Sequence, residues 1–344
     1  EKIDVSKISS KFNGGGHIRA AGCTLFTEID NAKELILKEI EMAFRWEIMN
    51  GTINIFKPIG MTSHDVVSTL RKKFKIKKIG HAGTLDPNVS GVLILCLGKG
   101  TRISEYLLDL EKEYIGELTL GIETDTQDKD GKIVNHSNKI VSEKDIYEAF
   151  ENNTGWIDQI PPMYSALKHK GKKLYVLARE GKLIEREPRK AHIQELEILN
   201  IVDNKKILFR VKCSKGTYIR TLCNDIGVSL GTYGYMSYLI RTQVGNFNIA
   251  DSYSIDYIKK LDMESLNSIV CPMDKSLNFM DFILVEDKYF NSITNGTIVP
   301  IDKNYKYINK NTIFKVYCKN IFIGLGKIIN KNNELCIKMD KVLI

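Results

Sequence analysis

The chain has no pair of cysteines spaced C-x-x-C; its seven cysteines are scattered along the sequence. That spacing argues against a zinc ribbon. An odd, dispersed set reads as reduced thiols in a cytosolic protein, not as a disulfide framework. No apolar run approaches the roughly 20 residues that span a bilayer, and no signal-peptide pattern opens the chain, so a cytoplasmic location without a membrane is expected. There is also no Walker-type phosphate loop and no Rossmann glycine fingerprint. The polar turn Thr124–Gly131 lacks the closing glutamate of a calcium loop. What is present is ordinary for a globular protein: 344 residues, 43% hydrophobic and 27% charged, a length for about two or three domains. The net charge of +8 is a moderate basic bias that suits a nucleic-acid partner.

Near the start, Asn13-Gly14-Gly15-Gly16-His17 is followed by Ala20-Ala21-Gly22. Successive glycines let backbone N–H groups line a phosphate, with His17 adding a hydrogen bond; the plain alternative is a flexible turn. The string GGGHIRAAG resembles the signature near the C-terminal end of DHH-family phosphoesterases, a group that includes oligoribonucleases. This resemblance covers only residues 1–46. The family's metal-binding Asp/His motifs belong to an upstream domain that is absent, so no phosphoesterase activity is expected. A helix is predicted over 31–44, with Ala32, Leu35, Ile36, Ile40 and Ala43 near helical spacing. Met49 then precedes a fresh strand, as a gene fusion or a mis-called start would both produce.

Thr52–Phe56 alternates as a strand, and Thr62 or Ser63 can cap a helix with Asp65 in its first turn. That helix runs into Arg71–Lys78, where six of eight residues are cationic. Such a run is either a solvated face or a phosphate-contacting surface. Directly after it comes Gly80-His81-Ala82-Gly83-Thr84-Leu85-Asp86-Pro87. Two glycines allow a tight turn, and Pro87 biases Asp86 toward an extended backbone. Asp86 is therefore either part of an Asp-Pro turn or a rigidly held nucleophile or base. Gly91–Leu97 is apolar enough for a strand buried on both faces, and Gly98-Lys99-Gly100 leads to a helix capped by Thr101. Glu113–Gly121 alternates, with Tyr114 on the side of Gly116, Leu118 and Leu120. Ser142 and Asp145 form a capping-box start for a helix.

Pro161-Pro162 breaks regular structure. Lys168–Lys190 then carries nine Lys or Arg against three Glu. It reads equally as a solvated helical hairpin or as an exposed basic arm that closes on a nucleic acid. Two strands are predicted from Ala191 to Cys213 with a turn at Asp203-Asn204. Lys215–Thr221 lies at a strand-to-helix junction with Thr217 as a possible cap. Arg220 there is either a surface helix residue or a partner for Asp86, since a guanidinium fixed beside a carboxylate favours its ionised form.

Four separated strings, GHAGTLDP, EKEYIG, IPPMYSALKHKGKKLYVLAREG and CSKGTYIRTLC, together resemble the TruB family of tRNA pseudouridine synthases. The resemblance runs from about Gly51 to the end of the chain. It implies an α+β fold: a mixed, largely antiparallel central sheet with flanking helices over 50–275, a thumb insertion near 161–190, and a small PUA-like β-domain over 277–344. It implies isomerisation of a uridine in the tRNA T-loop, at position 55, with no cofactor and no metal. By the same resemblance Asp86, Tyr114 and Arg220 are catalytic. His81, Tyr114, Tyr218 and Leu239 line the substrate pocket, and Lys168, Lys170, Lys172, Lys173 and Arg179 contact RNA. The expected partner is the tRNA T-arm, bound by a monomer. The competing expectation is a non-catalytic RNA-binding protein, or tRNA chaperone, with a vestigial phosphoesterase segment.

Overall fold

The computed structural model describes residues 4–47, 49–302, 305, 312–331 and 334–344, with side chains 41–48 outside that description. In chain order its elements begin with α1 (Val5–Ser10), β1 (Gly15–His17), β2 (Ala20–Gly22), α2 (Ile29–Glu47), β3 (Gly51–Lys57), α3 (Ser63–Phe74), β4 (Ile79–His81), β5 (Ser90–Leu97), α4 (Ser104–Leu108) and β6 (Lys112–Leu120). They continue with β7 (Ile122–Thr124), β8 (Ile133–His136), α5 (Glu143–Asn152), β9 (Gly155–Gln159), β10 (Lys168–His169), β11 (Lys172–Lys173), α6 (Leu174–Arg179), β12 (Arg189–Val202), β13 (Lys206–Cys213), α7 (Ile219–Ser229) and β14 (Gly234–Val244).

The main sheet runs Tyr253–Ser254, β3, β5, β14, β6, β13, β12, β9. Its pairings are antiparallel except β14 with β5 and Tyr253–Ser254 with β3. Every residue of β5 is buried. Leu93, Leu95 and Leu97 face a core built with α3, while Val92, Ile94 and Cys96 face a second core on the other side. This is the two-faced burial that the continuous apolar run predicts. The other half of the sheet packs Tyr114, Leu118, Ile193, Phe209 and Val211 against Phe150 of α5 and Leu222 of α7.

Local chemistry sets most boundaries. Thr62 caps α3 in a reciprocal box with Asp65, and Ser142 caps α5 with Asp145 in the same way. α3 ends at Phe74, where Lys75 turns left-handed at φ +52°. The β12–β13 hairpin turns through Asp203 (φ +53°) and Asn204 (φ +48°), both tolerant of that region. Three expectations fail. Thr101 does not cap a helix: Gly98–Ile103 is a 3-10 turn, and the Thr101 hydroxyl donates to the Gly98 carbonyl (2.8 Å). Thr217 does not cap α7; it donates to the Ser214 carbonyl (2.9 Å), and Tyr218 stands at the cap position. Leu35 of α2 is 44% exposed, whereas Ala32, Ile36 and Ile40 are half-buried. Ala43 lies outside the described side chains.

The glycine motif of residues 14–22 forms the β1–β2 hairpin. Gly14 leaves no room for a side chain, its notional Cβ falling 2.2 Å from the Gly22 carbonyl. After β14 the chain ends in a second, five-stranded sheet: Phe282–Val285, Ile313–Cys318, Ile321–Lys331, Glu334–Val342 and Val299–Pro300 in spatial order.

Candidate active site

Asp86 lies in the β4–β5 loop, and that loop is fastened on both sides of it. Ser63, buried at the start of α3, both donates to the Leu85 carbonyl (3.1 Å) and accepts from the Leu85 N–H (2.9 Å). On the other side, the Pro87 carbonyl accepts from Gly60 N–H (2.9 Å) and from the Lys57 ammonium (3.2 Å). Lys57, at the end of β3, is wholly buried and also donates to the carbonyls of Pro58 (2.9 Å) and Met61 (2.6 Å). Burial lowers its pKa to about 8, against the opposing pull of Asp86. The Asp86 carboxylate itself remains 44% exposed. The loop is thus rigid while its acid faces solvent.

Arg220, the second residue of α7, is 6% exposed, which removes the surface-residue alternative. Its Nε stands 3.1 Å from Asp86 Oδ2. Its Nη1 donates to the Thr126 carbonyl (3.1 Å) and lies 3.6 Å from Asp128 Oδ2; its Nη2 donates to the Tyr164 carbonyl (2.9 Å). One guanidinium therefore ties together the Asp86 loop, the turn after β7 and the root of the basic arm. Asp128 is fixed in turn by the Thr126 hydroxyl (2.5 Å) and the Asp130 N–H (3.1 Å).

Tyr114 lies on β6, 9% exposed; burial raises its pKa, and the charge of Arg241 opposes that rise. Tyr218 is half-buried at the start of α7. Its backbone exchanges two hydrogen bonds with the buried Gln159 amide (3.0 and 3.1 Å). Burial raises the Tyr218 phenol. Leu239 is 7% exposed and packs opposite Gly116, where any side chain would strike it and Phe209. His81 is half-buried; burial lowers its pKa, and its Nδ1 has no hydrogen-bond partner among the described atoms.

The basic arm is a small hairpin, β10–β11, followed by α6, and not the helical hairpin that was one of its two readings. It holds its shape on a satellite core of Met163, Leu174 and Leu177. Lys168, Lys170, Lys172, Lys173 and Arg179 are all exposed. Lys173 and Arg179 each stand 5.5 Å from the Tyr175 ring centre. Between the arm and α7 lies a cleft of about 690 Å³, walled by Lys182 and Arg186 on one side and Asp125 and Asp225 on the other. In the run at 71–78, Arg71 and Lys73 turn inward: Arg71 donates to the Ile79 carbonyl (3.3 Å), and Lys73 to the carbonyls of Lys259 and Leu261 (2.8 and 2.6 Å). Lys72, Lys77 and Lys78 face solvent.

Sequence reasoning missed Lys57, Asp128 and Arg241. Arg241 left a signal: it shares the inward face of its strand with Leu239, where a charge is out of place.

The architecture is the pseudouridine synthase fold. Among solved structures the chain is similar to a Cbf5–Nop10–Gar1 complex (TM-score 0.67, 29% identity, 89% of this chain and 87% of that one). It is also similar to an H/ACA RNP bound to a substrate RNA containing 2′-deoxyuridine (TM-score 0.65, 26% identity, 89% and 87%). A family model described as the N-terminal domain of TruB family pseudouridylate synthase matches residues 71–219, and one described as the tRNA pseudouridylate synthase B C-terminal domain matches 220–278. The tRNA pseudouridine synthase B of Alkaliphilus oremlandii is 46% identical over 300 residues, covering 86% of this chain and 99% of that protein. That of Clostridium kluyveri is 44% identical over 297 residues, covering 86% and 100%. The chain belongs to the TruB family of pseudouridine synthases.

Proposed function

We propose that this protein isomerises uridine to pseudouridine in the T-loop of tRNA, at position 55, without a cofactor. The observation that carries the proposal is the Asp86–Arg220 pair: an exposed carboxylate on a pinned loop, 3.1 Å from a buried guanidinium. The reaction breaks the N1–C1′ glycosidic bond and joins the same sugar carbon to C5. The base must leave the folded loop to be reached, at a cost of a few kcal/mol. Asp86 acts on the extruded nucleotide, and Arg220 holds its carboxylate in place. Tyr114 stacks on the detached uracil and serves in removal of the C5 proton. Tyr218 and Leu239 complete the pocket wall, and His81 helps fill the gap left in the RNA loop.

The arm over 161–190 acts as a thumb that clamps RNA phosphates through its exposed cations. Residues 50–275 form the catalytic domain and 277–344 a PUA-like domain that reaches the far end of the tRNA arm. The protein works as a cytoplasmic monomer. Residues 1–46 are a remnant related to DHH-family phosphoesterases and take no part in the reaction.

Replacing Asp86 with Asn tests the reading. Tritium release from 5-tritiated uridine in a tRNA transcript is expected to fall below detection while tRNA binding persists. Undiminished turnover would remove Asp86 from the chemistry, and loss of both would point to a binding role alone.

A further inference from the structure

Arg241 is the largest wholly buried side chain among the described residues, 1% exposed, and it carries a charge. Its Nε donates to the Val92 carbonyl (2.7 Å) and its Nη2 to the Gly83 carbonyl (3.1 Å). Gly83 is three residues before Asp86 and sits at φ +107°, close against this guanidinium. On its own strand pair, Arg241 stands directly opposite Tyr114, which places the two buried side chains on one face of the sheet. Gly91 leaves room for the Arg241 backbone beside it: a Cβ there would fall 2.1 Å from the Arg241 carbonyl. A buried cation is costly unless it is fully bonded. Two carbonyls satisfy part of the fork, and the phenol opposite is the neighbour with chemistry to offer.

We propose that Arg241 is a positioning residue that holds Tyr114 ready as the base for the C5 proton. This rests on the isomerase reading given above. Once C5 has joined the sugar, the C5–H bond breaks and its proton passes to the Tyr114 phenolate. The electron pair of that bond re-forms the C5–C6 double bond while the N1–C6 π pair withdraws onto N1, which takes a proton from water, and the phenol returns its own to water. The Arg241 charge beside the phenol favours the phenolate against the burial that opposes it. It also leaves the ring fixed against the uracil.

The other groups facing this pair are few. Tyr114 meets Asp86 from the β4–β5 loop and Cys213 from β13; burial pushes that thiol up to about 12, so it stays neutral. Arg241 meets Lys57 from β3, Lys112 from β6 and His81 from β4, and it pulls the pKa of each one down. Burial opposes the phenolate most, and of the charged groups Asp86 opposes it too.

The experiment compares two tRNA transcripts, one with uridine and one with 5-fluorouridine at the target, whose C5 carries no proton to remove. Arg241→Lys keeps the charge and loses the fork. It is expected to slow tritium release about 100-fold, and conversion of the fluorinated target to its C5-linked product by far less. Equal slowing of both would overturn the proposal and leave Arg241 a structural residue. A second arm uses 3,5-difluorotyrosine at position 114, whose phenol ionises at lower pH. In the unaltered chain it is expected to move the acid limb of the pH–rate profile to lower pH, and in Arg241→Lys to restore at least tenfold of the rate. An unmoved limb overturns the proposal even if Arg241→Lys does not fold. Full activity in Tyr114→Phe is a different failure: it removes Tyr114 as the base and with it the reading on which this rests.

Discussion

Lys57 shows how much of the site depends on one wholly buried side chain. Three carbonyls accept from its ammonium, and one of them belongs to the residue after Asp86. Replacing Lys57 with Met leaves those carbonyls without their donor in a buried place, at a cost of about 2–4 kcal/mol. The loss should also depend on pH. The folded-state pKa is about 8 against an ordinary value of 10.5. Between these values the unfolded chain holds the proton more tightly, so this group adds stability as pH rises from 8 to 10.5. Urea unfolding of both proteins across that range should show the wild type gaining on Lys57→Met. A constant difference would mean that the three carbonyls keep the amine protonated throughout. Asp86 and Arg220 were legible because each sits in a distinctive string of neighbours. Lys57 and Asp128 were not: one looked like the end of a strand and the other like a polar turn. Their partners lie 30 and 92 residues away, at Pro87 and Arg220.

Among the elements, those governed by neighbouring residues were readable in advance. The caps at Thr62 and Ser142, the Asp203-Asn204 turn and the two-faced strand β5 all follow from chemistry within a few residues. The run at 71–78 was harder, because its six cations look alike in sequence, yet Arg71 and Lys73 are spent on carbonyls of neighbouring elements. Thr217 failed for a similar reason, since the Ser214 carbonyl takes its hydroxyl before the helix can. The basic arm allows a sharper expectation. Its hairpin turns through Lys170 (φ +46°) and Gly171 (φ +85°), which sets Lys170 and Lys172 outward on a stiff tip. If each neutralises one phosphate, replacing both with Gln should flatten the log–log dependence of tRNA affinity on salt by about 1.4, at roughly 0.7 per contact to single-stranded RNA. The rate at saturating tRNA should hold, because neither side chain belongs to the Asp86–Arg220 cluster. An unchanged salt slope would take the tip of the arm off the RNA.

At the scale of the whole molecule, the C-terminal sheet shares a core with the catalytic sheet. Leu325 and Leu343 pack in one cluster with Val92, Ile94 and Cys96 of β5, and with Leu107 and Val244. Polar contacts reinforce the join. Arg102 Nη1 donates to the Val342 carbonyl (2.5 Å), Lys341 to the Arg102 carbonyl (2.7 Å), and the Tyr106 hydroxyl to Asp340 (3.2 Å). Strand β5 leads directly from the Asp86 loop, so the outer sheet supports the site from behind as well as extending the surface. Two regions that share an apolar cluster should unfold together, since separating them exposes Val92 and Ile94 to water. Cys223, buried in the catalytic core, and Cys318, buried in the C-terminal sheet, report on each side. Thiol labelling along a urea gradient, read peptide by peptide, should give both cysteines the same midpoint. Leu325→Ala should lower that common midpoint by about 2–5 kcal/mol of stability. Labelling of Cys318 well before Cys223, with turnover intact, would show instead that the outer sheet opens on its own and that the catalytic sheet stands without it.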